Sequence, residues 1–134
     1  MKRLLSFKTA VTATVIILLL VTLFNLFVLF GVAPYTIVWG GRIESREQMV
    51  VFELVSILIN LFCLIIVLVK ARRFLPRLGK TADIVAWLLP VMYFFGILGN
   101  VASTSAIERA LFVPVTVVLF VLTRRIALEK ESSK

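Results

Sequence analysis

Four long apolar runs divide the chain, each bounded by charged or turn-forming residues. The first, 11–32, holds 22 residues. As a helix it reaches ~33 Å at 1.5 Å per residue, enough to cross the hydrocarbon core of a bilayer. The second, 49–69, is apolar except at Glu53, Ser56, Asn60 and Cys63. The third, 84–101, contains Pro90 and the Gly96/Gly99 pair, which predict a kink and a close helix contact. The fourth, 105–123, has an uncharged core of only 14 residues that includes Pro114, and it is long enough to span if Glu108 and Arg109 lie at the interface. The pattern predicts an all-α integral membrane four-helix bundle that forms one unit over 1–134.

The connectors carry matching punctuation. Pro34 is expected to stop the first helix, Tyr35 and Trp39 have rings of the type that settle at headgroup level, and Gly40-Gly41 permits a tight turn. Thr81 is the expected N-cap of the third helix, with Asp83 in its first turn. Ser105 and Glu108 match the capping box that opens the fourth.

Composition and charge sharpen this picture. The chain of 134 residues is 61% hydrophobic and only 16% charged, too apolar for a soluble domain. A net charge of +8 could suggest nucleic acid, but the basic residues sit at the ends of apolar runs, where topology signalling explains them. The amino-terminal flank (Lys2, Arg3, Lys8), the second connector (Lys70, Arg72, Arg73, Arg77, Lys80) and the tail (Arg124, Arg125, Lys130, Lys134) hold most of them. The other two connectors hold only Arg42, Arg46 and Arg109. Both termini are therefore expected on the cytoplasmic side of a multi-pass membrane protein. The first run exceeds a signal peptide's apolar region and lacks a good cleavage site, so it reads as a retained span.

Absences limit the chemistry. The chain has no histidine and a single cysteine, Cys63, which removes His-based nucleophilic catalysis, His proton shuttles, the usual zinc, haem or copper ligation, and paired-cysteine redox relays. An enzyme is not expected, nor is a cofactor, a metal site or a nucleic-acid partner.

The polar residues inside the runs are the candidates for function. Glu53, Ser56, Asn60 and Cys63 are spaced three, four and three apart, which keeps them on one helix face. Asn25, with Thr22 one turn before it, can join that seam. Asn100, Glu108 and Arg109 lie at the outer ends of the last two helices, so polar groups converge on the outer half of the bundle, beneath Arg42, and leave the inner half apolar. A Glu53–Arg109 ion pair is one expected consequence. Two readings are open: Asn25 and Asn60 act as interhelical hydrogen-bonding glue with Glu53 paired, or Glu53 and the amides, with Arg42 or Arg109, line an outward-facing pocket for a proton, cation or small polar ligand. The same seam also suits contact with another membrane protein or a second copy.

Other features have simpler readings. Arg72, Arg73, Arg77 and Lys80 could hold anionic lipid headgroups, although orientation alone accounts for them. Phe24, Phe27 and Phe30 read as packing or lipid-facing bulk, and Cys63 as a small apolar filler.

The stretches Pro34-Tyr35-Thr36-Ile37-Val38-Trp39-Gly40-Gly41-Arg42, Glu53-Leu54-Val55-Ser56-Ile57-Leu58-Ile59-Asn60 and Gly99-Asn100-Val101-Ala102-Ser103 resemble a group of small, uncharacterised four-span bacterial membrane proteins. The resemblance implies a bacterial cytoplasmic membrane and the same four-helix layout, and it carries no function. Small multidrug transporters are similar in size and span number but place an essential glutamate in the middle of the first span, whereas here that helix has Asn25 and no acid. The reading from sequence is a non-enzymatic binding or accessory membrane protein with a polar seam, the alternative being a proton- or cation-coupled small-molecule carrier that acts as an oligomer.

Overall fold

The structure, a computed structural model, describes residues 5–32, 44–71, 79–103 and 105–129. These are all-helical apart from short turns: α1 (Phe7–Leu29), α2 (Arg46–Lys70), α3 (Gly79–Val85), α4 (Leu88–Val101) and α5 (Ala106–Leu128). With α3 and α4 taken as one broken helix, four helices are long and apolar enough to cross a membrane. Between 22% and 33% of each apolar stretch is buried within the bundle, so most of the hydrophobic surface points outward. Exposed apolar area on that scale needs an apolar surrounding, which suggests a multi-pass membrane protein.

Serine begins three of the helices. Ser6, Ser45 and Ser105 accept hydrogen bonds from the backbone N–H of Thr9, Gln48 and Glu108 at 3.1, 3.1 and 3.2 Å. At Ser45 the side chain of Gln48 reaches back to accept from the N–H of Glu44 at 2.7 Å, a variant of the reciprocal box. The end of α1 departs from expectation. Pro34 lies outside the described residues, and the helix has already stopped at Leu29. Gly31 there adopts φ +82°, its N–H donates to Val28 O at 3.1 Å, and Val32 N–H donates to Phe27 O at 2.8 Å. This Schellman closure needs a left-handed residue, which glycine adopts without strain.

The third span is broken rather than gently kinked. Pro90 has no N–H to give to the carbonyl of Ala86, so the α-helical ladder cannot close there. The chain turns at Ala86–Trp87, and Leu89 N–H donates to Ala86 O at 3.2 Å instead. Pro114 has no such effect, since α5 continues through it. Thr81 is not an N-cap, because α3 already begins at Gly79, and Asp83 is engaged elsewhere.

The helices alternate in direction. α1 packs against both α2 and α5, α5 packs extensively against α4, and α3 contacts α2. α2 and α4 barely touch. The basal pole, where α1 starts and α5 ends, contains Val11, Cys63, Val67, Ala86, Leu89 and Ile126 in one core, whereas Val28 and Met49 form a small separate cluster at the distal pole.

The basal pole is less apolar than the sequence suggested. Lys70, 3% exposed, donates to Asp83 Oδ1 at 2.6 Å and also to the carbonyl of Glu129. Arg125, 5% exposed, donates to the carbonyl of Leu5 at 2.8 Å and pairs with Glu129 at 3.2 Å. These bonds tie the chain before α1 to the ends of α2 and α5 and to α3. Buried charges held this way are strongly destabilising when one partner is removed. Asp83→Ala is expected to lower stability by about 3 kcal/mol in a denaturation series, and the double change Lys70→Met with Asp83→Leu to recover most of that loss. An additive double mutant would show that the two charges do not act as a pair.

Candidate functional site

The polar seam assembles at the distal pole, where α2 and α4 have parted. Asn25 comes from α1, Glu53, Ser56 and Asn60 from successive turns of α2, Asn100 from the last turn of α4, and Glu108 from the first turn of α5. Together with Val21, Phe24, Ile59 and Phe112 they line one cleft of about 250 Å³. Helical spacing on α2 and antiparallel packing of the other helices bring these residues to one level. Of the candidates read from sequence, Glu53, Asn60, Asn25, Ser56 and Asn100 share this cleft.

The hydrogen bonding within it is uneven. Glu53 is 2% exposed, Asn25 is 8% exposed, and neither side chain has a hydrogen-bond or ion-pair partner among the described residues. Ser56 and Asn60 are half-buried and likewise make no side-chain hydrogen bond there. Buried polar groups are ordinarily paired, so unpaired Glu53 and Asn25 around a single space, with half-buried Ser56 and Asn60 beside them, are a departure from the rule. Asn100 behaves differently: its amide donates across the helix interface to Phe112 O and Thr116 Oγ1, both at 3.3 Å. Of the three asparagines it is the one that acts as interhelical glue.

Glu108 belongs to a local relay. Its carboxylate accepts from Ser103 Oγ at 2.6 Å, and Ser103 Oγ in turn accepts from Ser105 N–H at 3.0 Å. The capping box is thus realised on its serine side, while Ser103 takes the Ser105 N–H that glutamate would otherwise accept. The Glu53–Arg109 pair is not formed. Arg109 is exposed and gives its guanidinium to the carbonyl of Ser103, because the backbone turn between α4 and α5 supplies a nearer acceptor. Thr22 does not join the seam either: its hydroxyl bonds its own helix at Leu18 O, 2.8 Å away. Lys80 is exposed at the basal pole, and Arg42, Arg72, Arg73 and Arg77 lie outside the described residues.

Two contributors were missed from sequence. Phe24 and Phe112 meet edge-to-face with centroids 5.2 Å apart and form one wall of the cleft. A pairing between the first and the last helix of the chain leaves no local sequence signal. Thr14 and Tyr93, nearer the other pole, have buried hydroxyls that meet no nitrogen or oxygen partner among the described residues. At Gly96, on the α4 face toward α5, a Cβ would sit 3.7 Å from the Thr116 methyl, ordinary contact that alanine would tolerate.

Chemically, the cleft offers acceptors. The Glu53 carboxylate and the amide side chains border a space whose lining, among the described residues, holds no lysine or arginine, so a cation or a hydrogen-bond donor is the complementary guest of the carboxylate. Among the described residues no group of three metal-ligating side chains is assembled. No protein-family model, curated protein or solved structure matches this chain.

Unpaired burial has a measurable signature. Replacing Glu53 with methionine is expected to raise the thermal stability of the purified protein, because it removes an uncompensated polar group. Asn100→Leu should lower it by about 1 kcal/mol, since a made interhelical bond is lost. A fall in stability for Glu53→Met, of the same size as for Asn100→Leu, would assign Glu53 to structural glue.

Proposed function

We propose that this is a non-enzymatic multi-pass protein of the bacterial cytoplasmic membrane, with both termini on the cytoplasmic side, whose distal cleft binds a small cationic or hydrogen-bond-donating ligand from the opposite side. One observation carries the reading: the Glu53 carboxylate is 2% exposed, unpartnered among the described residues, and borders a cleft it shares with Asn25, Ser56 and Asn60. A buried carboxylate lowers stability unless something pairs with it, and retaining one beside unfilled acceptors is the pattern of a binding site. The size of the space supports a small guest, because about 250 Å³ falls below the range of drug-sized sites.

The charge distribution supports the orientation. Lys8, Lys70, Lys80, Arg124 and Arg125 all belong to the basal pole, and the excess of basic residues marks the cytoplasmic side. Buried acid and amides then fall in the extracytoplasmic half. The observed lining weakens the hydrogen-bonding glue reading for Asn25 and Asn60, since neither makes the bonds that role requires.

Ethylammonium is a suitable first probe. In nanodiscs of phosphatidylcholine, the full-length protein is expected to bind ethylammonium saturably by isothermal titration calorimetry. Glu53→Gln should weaken that binding at least tenfold while the protein stays monodisperse, and Asn25→Leu should weaken it several-fold. Unchanged binding in Glu53→Gln, or none in the parent, defeats the proposal. A reporter fused to the carboxyl terminus should be active only in the cytoplasm, and activity on the other side would reverse the orientation.

A further inference from the structure

A second space adjoins the polar cleft. It is an apolar groove of about 260 Å³ between α1 and α5, lined by Ile17, Leu20, Leu111 and Val115 together with Val21, Phe24 and Phe112. The last three also line the polar cleft. The two spaces therefore share a wall, and the Phe24–Phe112 pair stands at their junction. Leu20 is 60% and Leu111 49% exposed, so the groove opens sideways on the outer surface of the bundle.

The order along the bundle axis matters. From Phe24 the groove follows α1 back to Ile17, seven residues or ~10 Å toward the middle of the bundle. The acceptors lie on the distal side of the junction and the apolar lining on the mid-bundle side. An amphiphile in the adjacent leaflet has the same order, head outward and chain inward.

Resting on the ligand-binding reading of the cleft, we infer that the guest is a single-chain amphiphilic amine: its ammonium group enters the cleft beside Glu53 and the asparagine side chains, and its alkyl chain lies in the α1–α5 groove. Charge complementarity selects the head, because among the described residues the cleft lining contains a carboxylate with no partner and no basic side chain. Continuity of the two spaces selects the tail. The aromatic junction suits both parts, since ring faces attract a cation and ring edges pack against methylene groups. An octyl chain reaches about as far as the groove extends. Access is lateral, from lipid, and requires no opening between the helices at the basal pole.

The test separates head from tail. The full-length protein in phosphatidylcholine nanodiscs is titrated with ethylammonium, octylammonium and 1-octanol, each corrected for partitioning into empty nanodiscs. Octylammonium is expected to bind at least tenfold more tightly than ethylammonium and to be displaced by 1-octanol at least tenfold less effectively than by itself. Leu111→Trp, which fills the groove from an exposed position, should remove at least fivefold of the octyl advantage and leave ethylammonium binding intact. Ile17→Phe blocks the far end and serves if Leu111→Trp does not fold. Glu53→Gln should weaken both amines. If ethylammonium binds but octylammonium gains nothing, or if both groove-filled variants keep the full advantage, the amphiphile inference fails while the polar site stands. Displacement by 1-octanol as effective as by octylammonium overturns the assignment of the head. If neither amine binds, the site itself falls, and the inference with it.

Discussion

Pro90 cannot donate a hydrogen bond, and the path of the chain around it shapes the rest of the molecule. The missing bond to Ala86 ends α3 after two turns and starts α4 afresh. α3 stays against α2, held by the Lys70–Asp83 pair, whereas α4 packs against α5 and barely meets α2. One span thus serves two neighbours at its two ends. The bundle is closed where α3 reaches α2 and parted at the other pole, and the cleft occupies that parting. An unbroken helix bound to α2 along its length would have covered Glu53 and Asn60 with side chains from the third span.

The two poles then handle polarity in opposite ways. At the basal pole, Lys70, Asp83, Arg125 and Glu129 are buried or half-buried but engaged with one another and with the Leu5 and Glu129 carbonyls. Their desolvation is offset by short contacts, and they join segments distant in sequence. At the distal pole Glu53 and Asn25 are buried without such compensation among the described residues. A chain able to staple charges so completely at one end has the means to do so at the other. The contrast within a single bundle, more than the presence of a carboxylate, is what supports the proposed binding role of the distal cleft.

Much of this was legible in the sequence, for physical reasons that also explain what was not. Helix period alone aligns Glu53, Ser56, Asn60 and Cys63, and alternating direction brings Asn25, Asn100 and Glu108 to the same level. Serines followed by Glu or Gln mark starts, as Ser105 and Glu108 do. Contacts that depend on tertiary placement stayed hidden. Arg109 and Glu53 both lie near helix ends at one pole, yet the turn carbonyl of Ser103 captures the guanidinium. Asp83 was legible as a helix-dipole residue but not as the partner of Lys70, because a separation of thirteen residues across a connector has no periodic signature. Pro34 is the more conspicuous stop signal after α1, but Gly31 already supplies the left-handed turn that ends the helix.

The Phe24–Phe112 pair shows how one contact changes the meaning of a familiar pattern. Phe24, Phe27 and Phe30 recur at a spacing of three, and Phe27 and Phe30 are indeed exposed on the outer surface. Phe24 differs because Phe112, from the start of α5, meets it edge-on and makes it half-buried. That ring, with Phe112 and Val21, forms the boundary between the polar cleft on one side and aliphatic side chains on the other. A polar pocket in an apolar surrounding needs such a divider: the ring excludes the acceptors from the aliphatic groove, and its own faces stay compatible with either neighbour. The amphipathic character of the combined site thus arises from helix packing at one aromatic contact, with the carboxylate and amides on α1, α2 and α4 supplying polarity and the α1–α5 seam supplying the apolar extension.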